Sequence, residues 1–348
     1  MSELLIENSI DILLLLKPSN ILYFTGFGGG GALLVSSDGS AELRVHPVYR
    51  ERAENEASSS VQVVVTSPKR DPMQEVFEAL GGRRAAVGYD FLSAEGYRDI
   101  VSKSPNLLLT SASELIWRLR QIKGEEEMEL LRKACEIAAV TLEFVREFLT
   151  VGTTTREIKA AIAEEAFRQG ADSLAFGPII KNGSRTALPD NTAIDETVRE
   201  GELVVVDLGV AVGGYLSDLC RTFYVGGRPP SDVQRVYEAV LKARQRGVES
   251  ATSWTSSLAV DENMRSVLRE AGFEDSSSNV QGHGIGLEHH EPPLISPYSR
   301  DLIPEGAVIT LEPAVYLPGR FGVKVEDMYM VRREGLKPIV ELSDAITS

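Results

Sequence analysis

Two pairs of acidic residues flank two turns, and a chain built this way must find positive charge to set between them. Asp207 ends the apolar run Leu203-Val204-Val205-Val206, which reads as a buried strand. Asp218 follows eleven residues later, just ahead of a second strand-like run from Leu219 to Val225. Gly213-Gly214 between them is a hairpin signal. In a regular hairpin Asp207 and Asp218 are expected to be directly opposed, with Cβ atoms about 4.5–5.5 Å apart, where like charges destabilise. The pattern recurs downstream. Glu312 lies in Ala307-Val308-Ile309-Thr310-Leu311-Glu312-Pro313 and Glu326 in Val323-Lys324-Val325-Glu326-Asp327, with Pro318-Gly319 and Gly322 marking the turn. One such pair is ordinary in a chain with 51 acidic residues; two with matched symmetry point to a site.

Of only four histidines, three sit in one stretch, Gly282-His283-Gly284-Ile285-Gly286-Leu287-Glu288-His289-His290-Glu291-Pro292-Pro293. Glycines on both sides of His283 let the backbone approach a neighbour closely. A lone loop histidine is more often a plain hydrogen-bonded residue. The flanking carboxylates shift that reading, because imidazole is also a common metal ligand and general acid or base. Four acids and one imidazole carry the charge to neutralise two divalent cations. Oxygen-rich ligands with one nitrogen suit manganese, cobalt, iron or zinc.

These residues resemble the pita-bread metallopeptidases, the family of Xaa-Pro dipeptidase (prolidase), aminopeptidase P and methionine aminopeptidase, and Xaa-Pro dipeptidase most of all. The resemblance runs over essentially the whole chain. It rests on Asp207-x10-Asp218 with Gly214-Tyr215-x-Ser217-Asp218 and Arg221-Thr222, on Gly282-His283-Gly284-Ile285-Gly286, on Thr310-x-Glu312-Pro313, and on Glu326-Asp327. It implies that Asp207, Asp218, His283, Glu312 and Glu326 bind two metals, manganese or cobalt first and zinc or iron as alternatives. It also implies that His290 contacts the reacting carbonyl and that Glu312 shuttles a proton to the leaving nitrogen. Tyr215 belongs with the residues around the ligands. His289, at a position usually apolar in relatives, reads as a spectator or at most a neighbour of the ligands. Relatives are often dimers, so a homodimer is expected.

Length and composition agree with two domains of a soluble globular protein: 348 residues, 43% hydrophobic and 25% charged. A net charge of −15 argues against nucleic acid and anionic membrane as partners. Cys135 and Cys220 imply no disulfide framework. Ile10 to Leu16 is too short to span a membrane and no basic leader precedes it, so a cytoplasmic location is expected.

Residues 1–121 read as an α/β unit resembling the family's creatinase/prolidase-like N-terminal domain, notably over Asn20 to Gly26. Strands are expected at Ile12 to Leu16, Ala32 to Val35, Val61 to Val65 and Ala85 to Gly88. Gly28 to Gly31 is followed by a strand rather than a helix, so it reads as a turn, not a phosphate cradle. His46 reads as a surface residue. Residues 125–348 read as the catalytic domain. Leu131, Ala134, Ala138, Leu142, Val145 and Leu149 recur at helical spacing. Thr154 with Glu157, and Ser231 with Gln234, look like capping boxes. Helices interleaved with hairpins give an α+β class, which fits the family's curved antiparallel sheet.

Some positions depart from the family. Asp190 stands seventeen residues before Asp207, and Asn279 four before His283, where relatives commonly carry histidine. Lys324 replaces a common arginine, and Leu294 stands near an arginine that some prolidases use to hold the product carboxylate. Asp190, Asn279 and Lys324 therefore bear on substrate preference. Lys324 and Arg185 are candidate partners for the Asp190 carboxylate. The expected activity is dinuclear metal-dependent hydrolysis of small peptides near the N-terminus, Xaa-Pro bonds first. The alternatives are an aminopeptidase of other specificity and a non-catalytic relative that keeps the metal as a binding module.

Overall fold

A computed structural model describes residues 1–70, 72–80, 84–189 and 195–347. Asp190 lies outside the described residues. The chain divides into two compact units, Met1–Arg120 and Gln121–Ser348.

The first unit is built on a mixed six-stranded sheet, in spatial order Gln62–Val65, Ala41–Val45, Ala32–Ser36, Ile12–Leu15, Ala85–Tyr89 and Leu107–Ser111. All four residues of Ile12–Leu15 are buried because this central strand is covered on both faces. Strand alternation sends Leu13 and Leu15 into one core with Leu33, Val35 and Leu43, and Ile12 and Leu14 into another with Leu34 and Val87. Asn20 to Thr25 falls within a helix, Pro18–Thr25, which stops at Gly26 in the left-handed region (φ 80°). The glycine run then leads into the strand Ala32–Ser36. His46 is half-buried, and its Nδ1 accepts from Val48 N at 3.4 Å.

The second unit pairs antiparallel strands with long helices. Glu125–Phe148 buries Leu131, Ala134, Ala138, Leu142 and Val145 against the strand Leu203–Leu208 and its neighbours, as the helical spacing of those residues predicts. Thr154 and Glu157 form the capping box: Thr154 Oγ1 accepts from Glu157 N at 3.2 Å, and Glu157 Oε2 accepts from Thr154 N at 2.8 Å. The second expected box is corrected. Ser231 is already the first residue of Ser231–Ser250, Pro230 holds the cap position, and Gln234 Nε2 donates to Pro229 O at 2.7 Å.

The hairpin registers place the acids. Leu203–Leu208 pairs with Leu219–Tyr224 so that Asp207 faces Cys220, not Asp218. The expectation of direct opposition fails because the turn is centred between Gly213 and Gly214, both at positive φ (57° and 84°), with Val212 opposite Tyr215. Counting outward from that centre offsets the two aspartates by two residues. Strand alternation keeps them on the same face as diagonal neighbours. The second hairpin meets the expectation: Leu311 faces Asp327 and Ala314 faces Lys324, which sets Glu312 and Glu326 across from each other. The two hairpins meet where Cys220 bridges Glu326.

Candidate metal centre

His283 lies on the short strand Gly282–Gly284 and is 1% exposed. A side chain at Gly282 would collide with Thr310 O, and one at Gly284 with Pro292 O, so both glycines are required by close backbone approach. His283 N donates to Thr310 Oγ1 at 3.2 Å. The ring nitrogen Nδ1 is 3.0 Å from Gly284 O and donates to it, which leaves Nε2 as a bare lone pair. Burial first, then His290, pushes the His283 pKa well below its ordinary value and keeps the ring neutral.

That lone pair faces carboxylate oxygens: Glu312 Oε1 at 3.5 Å, Asp218 Oδ2 at 3.6 Å and Glu326 Oε1 at 3.9 Å. A lone pair against anions is repulsive. The spacing is that of donors sharing one cation, each at about 2.0–2.2 Å. On the other side the Lys324 ammonium stands 2.8 Å from Asp207 Oδ2, 3.0 Å from Glu312 Oε2 and 2.8 Å from Glu326 Oε2. One ammonium offsets only part of four carboxylates. Asp207 Oδ1, Asp218 Oδ1 and Glu326 Oε1 are buried with no hydrogen-bond partner. Burial raises the Asp218 carboxyl well above the usual range, and the charges of Glu326 and Asp207 add to this. Burial likewise lifts Glu326 to about 8, against the pull of Lys324. For Lys324 burial opposes the charge, but Asp207, Glu312 and Glu326 outweigh it and the net shift is upward. These residues fit divalent cations: unpartnered buried oxygens, a bare imidazole nitrogen and an excess of negative charge.

The cage opens on a cleft of about 530 Å³ whose walls include Pro189, Asn279, Val280, His290, Leu294 and Tyr316. His290 is exposed, with its ring edge against His283 at 4.3 Å between centroids. The backbone carbonyl of Asn279 accepts from Arg265 Nη2 at 3.0 Å. Tyr215 donates its hydroxyl to Glu127 Oε1 at 2.8 Å, which ties the first hairpin to the long helix. Lys324, expected beside the ligands, touches three of them directly. Arg185 lies 3.8 Å from Glu196.

Of the two readings of His289, the structure has the neighbour of the ligands. Its Nε2 is 2.6 Å from Asp218 Oδ2, so it is no spectator. Burial, then His290, pulls its pKa down to about 4. Behind the acids a second polar layer escaped sequence reasoning. Arg221 donates to Cys220 O at 2.9 Å and Glu326 O at 3.0 Å and pairs with Asp327 at 2.7 Å, while Arg244 pairs with Asp327 and Asp344. Lys123 and Glu291 form a buried ion pair at 3.1 Å beside His290. Partners this distant in sequence leave no spacing signal.

A buried ring of carboxylates around one imidazole, opening on a cleft, defines a metal-dependent hydrolase. The chain belongs to metallopeptidase family M24, whose model matches residues 129–333, and residues 1–122 match the creatinase/prolidase N-terminal domain. It is 37% identical over 338 residues to the Xaa-Pro dipeptidase of Pyrococcus furiosus, covering 96% of this chain and 94% of that one. It is 34% identical over 342 residues to the Xaa-Pro dipeptidase of Pyrococcus horikoshii, covering 97% and 95%. The solved structure of the prolidase from Pyrococcus furiosus superposes with a TM-score of 0.91 at 35% identity, over 99% of this chain and 100% of that one. The second unit thus has the pita-bread fold and the first the creatinase/prolidase N-terminal fold. Among the described residues no helix is long and apolar enough to cross a membrane.

Proposed function

We propose that this chain hydrolyses Xaa-Pro dipeptides, with Asp207, Asp218, His283, Glu312 and Glu326 holding two divalent cations. The observation that carries the reading is the bare Nε2 of His283 facing three carboxylate oxygens at 3.5–3.9 Å. The two Pyrococcus relatives named Xaa-Pro dipeptidase support the substrate class. Manganese or cobalt is the expected metal pair, zinc or iron the alternative.

When bound, such a pair supplies Lewis acidity and a nucleophile from water at neutral pH. The protein supplies the rest. His290, at the rim of the cleft, donates a hydrogen bond to the carbonyl oxygen as charge develops there; losing such a donor costs about 10²–10³ in rate. Glu312, lining the same cleft, takes the water's proton and returns it to the leaving nitrogen. Pro189, Val280, Leu294 and Tyr316 offer apolar surface for a pyrrolidine ring. Residues 1–121 and 125–348 act as the two domains of a cytoplasmic homodimer in this reading. Asp190 and Asn279 tune which peptides are accepted.

The test is a panel of Xaa-Pro and non-proline dipeptides and longer peptides, assayed with stripped protein reloaded with manganese, cobalt or zinc. Proline release from dipeptides in a metal-dependent manner supports the proposal. Cleavage confined to longer peptides indicates an aminopeptidase, and inertness with every metal indicates a binding module; either result overturns it.

A further inference from the structure

Asp218 is 2% exposed, and its two oxygens are treated differently. Oδ1 has no hydrogen-bond partner, whereas Oδ2 lies 2.6 Å from His289 Nε2. With the carboxylate ionised, as cation binding requires, Nε2 must carry the proton and donate it. The His289 ring is held for that purpose from both faces. It stacks on Phe176 with centroids 4.4 Å apart and planes at 19°, and on His290 at 4.3 Å and 18°. Its edge meets the His283 ring at 5.6 Å and 84°. The sandwich leaves the imidazole little freedom other than to point Nε2 at Asp218. His283 cannot substitute for it, because its Nε2 is the bare nitrogen of the cage.

We propose that His289 is a positioning residue for the metal centre: its Nε2–H tethers Asp218 through Oδ2, the oxygen that also faces His283 Nε2 at 3.6 Å, and so fixes how the carboxylate is presented to the cage. The inference rests on the ligand set of the proposed function. A carboxylate held at one oxygen cannot swing out of the cage, so the geometry is set before metal arrives. Such outer partners typically contribute 10–100-fold in metal affinity.

The test is a Co(II) titration of the metal-stripped full-length protein, read by d–d absorption and calorimetry. It compares wild type with His289→Phe, His289→Leu and His289→Gln. Phe keeps a ring between Phe176 and His290 but has no donor; Leu removes both ring and donor; Gln keeps an N–H. Thermal melts of the stripped variants verify folding. Phe and Leu are expected to weaken Co(II) binding by at least about tenfold and to alter the spectrum, with Gln restoring both towards wild type. Phe or Leu binding as tightly as wild type with an unchanged spectrum would overturn the inference, as would Gln behaving like Leu. A wild type that takes up no Co(II) would instead overturn the proposed ligand set, so the two failures are distinguishable.

Discussion

Cys220 and Glu326 exchange backbone hydrogen bonds, Cys220 N to Glu326 O at 3.2 Å and Glu326 N to Cys220 O at 3.0 Å. Cys220 is also the residue facing Asp207. The bridge therefore joins the two hairpins at the point where their acids must converge. Asp207 lies in a three-stranded sheet and Glu326 between strands of two others, so this isolated bridge is what links their backbones.

Arg221 seals this junction from behind, 2% exposed, donating to both bridged carbonyls and pairing with Asp327. Breaking a buried pair by removing one partner costs about 3–5 kcal/mol. Arg221→Ala is expected to lose stability of that order in urea unfolding, and to lose metal binding with it. A loss below about 1 kcal/mol would mean the layer behind the acids is not holding them.

Metal removal should expose the repulsion. Burial pushes the Glu326 carboxyl up to about 8 in the absence of metal and raises Asp218 as well, so between about 4.5 and about 8 the folded chain holds protons that the unfolded chain has released. The stability of the stripped protein therefore falls as pH rises through that window. Cations compete with the same protons, so metal affinity rises with pH up to about 8, roughly tenfold per unit for one proton displaced. Calorimetric titration with Mn(II) from about pH 6 to about pH 8 checks this; an affinity flat across that range contradicts it.

Lys324 is the internal cation of three acids. Lys324→Met is expected to lower the melting temperature of the stripped protein by roughly 5–10 °C, because the acids are left uncompensated. Added Mn(II) should raise the melting temperature of this variant more than that of wild type. Equal gains in both proteins would show that the ammonium and the metals do not share oxygens.

Asp190 follows Pro189, a residue of the cleft wall. In sequence it stands where relatives commonly carry histidine, and a histidine there would replace an acceptor-only carboxylate with an N–H donor. Asp190→His is expected to raise Xaa-Pro turnover and to weaken any preference for peptides with a free amino terminus or basic side chain. Unchanged rates and unchanged substrate ranking would make Asp190 a bystander.

Much of the site is legible in the chain because it is hairpin chemistry. Glu312 and Glu326 face each other as their symmetry about the turn predicts. Asp207 and Asp218 share a face, but their register depends on where the Gly213-Gly214 turn is centred, and moving that centre by one residue shifts the pairing by two and changes opposition into a diagonal. For His289 the sequence suggests at most a neighbour of the ligands; which ligand it touches, Asp218, depends on the Phe176 and His290 rings and leaves no spacing signal. Strand alternation puts Lys324 on the same side as Glu326. Its contact with Asp207 comes from the other hairpin, which only the Cys220–Glu326 bridge reveals. The Ser231 cap failed locally, where Pro230 took the position one residue earlier.

The most direct measurement is proline release from an Xaa-Pro dipeptide by stripped protein during titration with Mn(II) or Co(II). The expected result is no turnover without metal and a rise that saturates at two equivalents per chain. Full turnover by the stripped protein, with nothing gained on adding metal, would contradict the account.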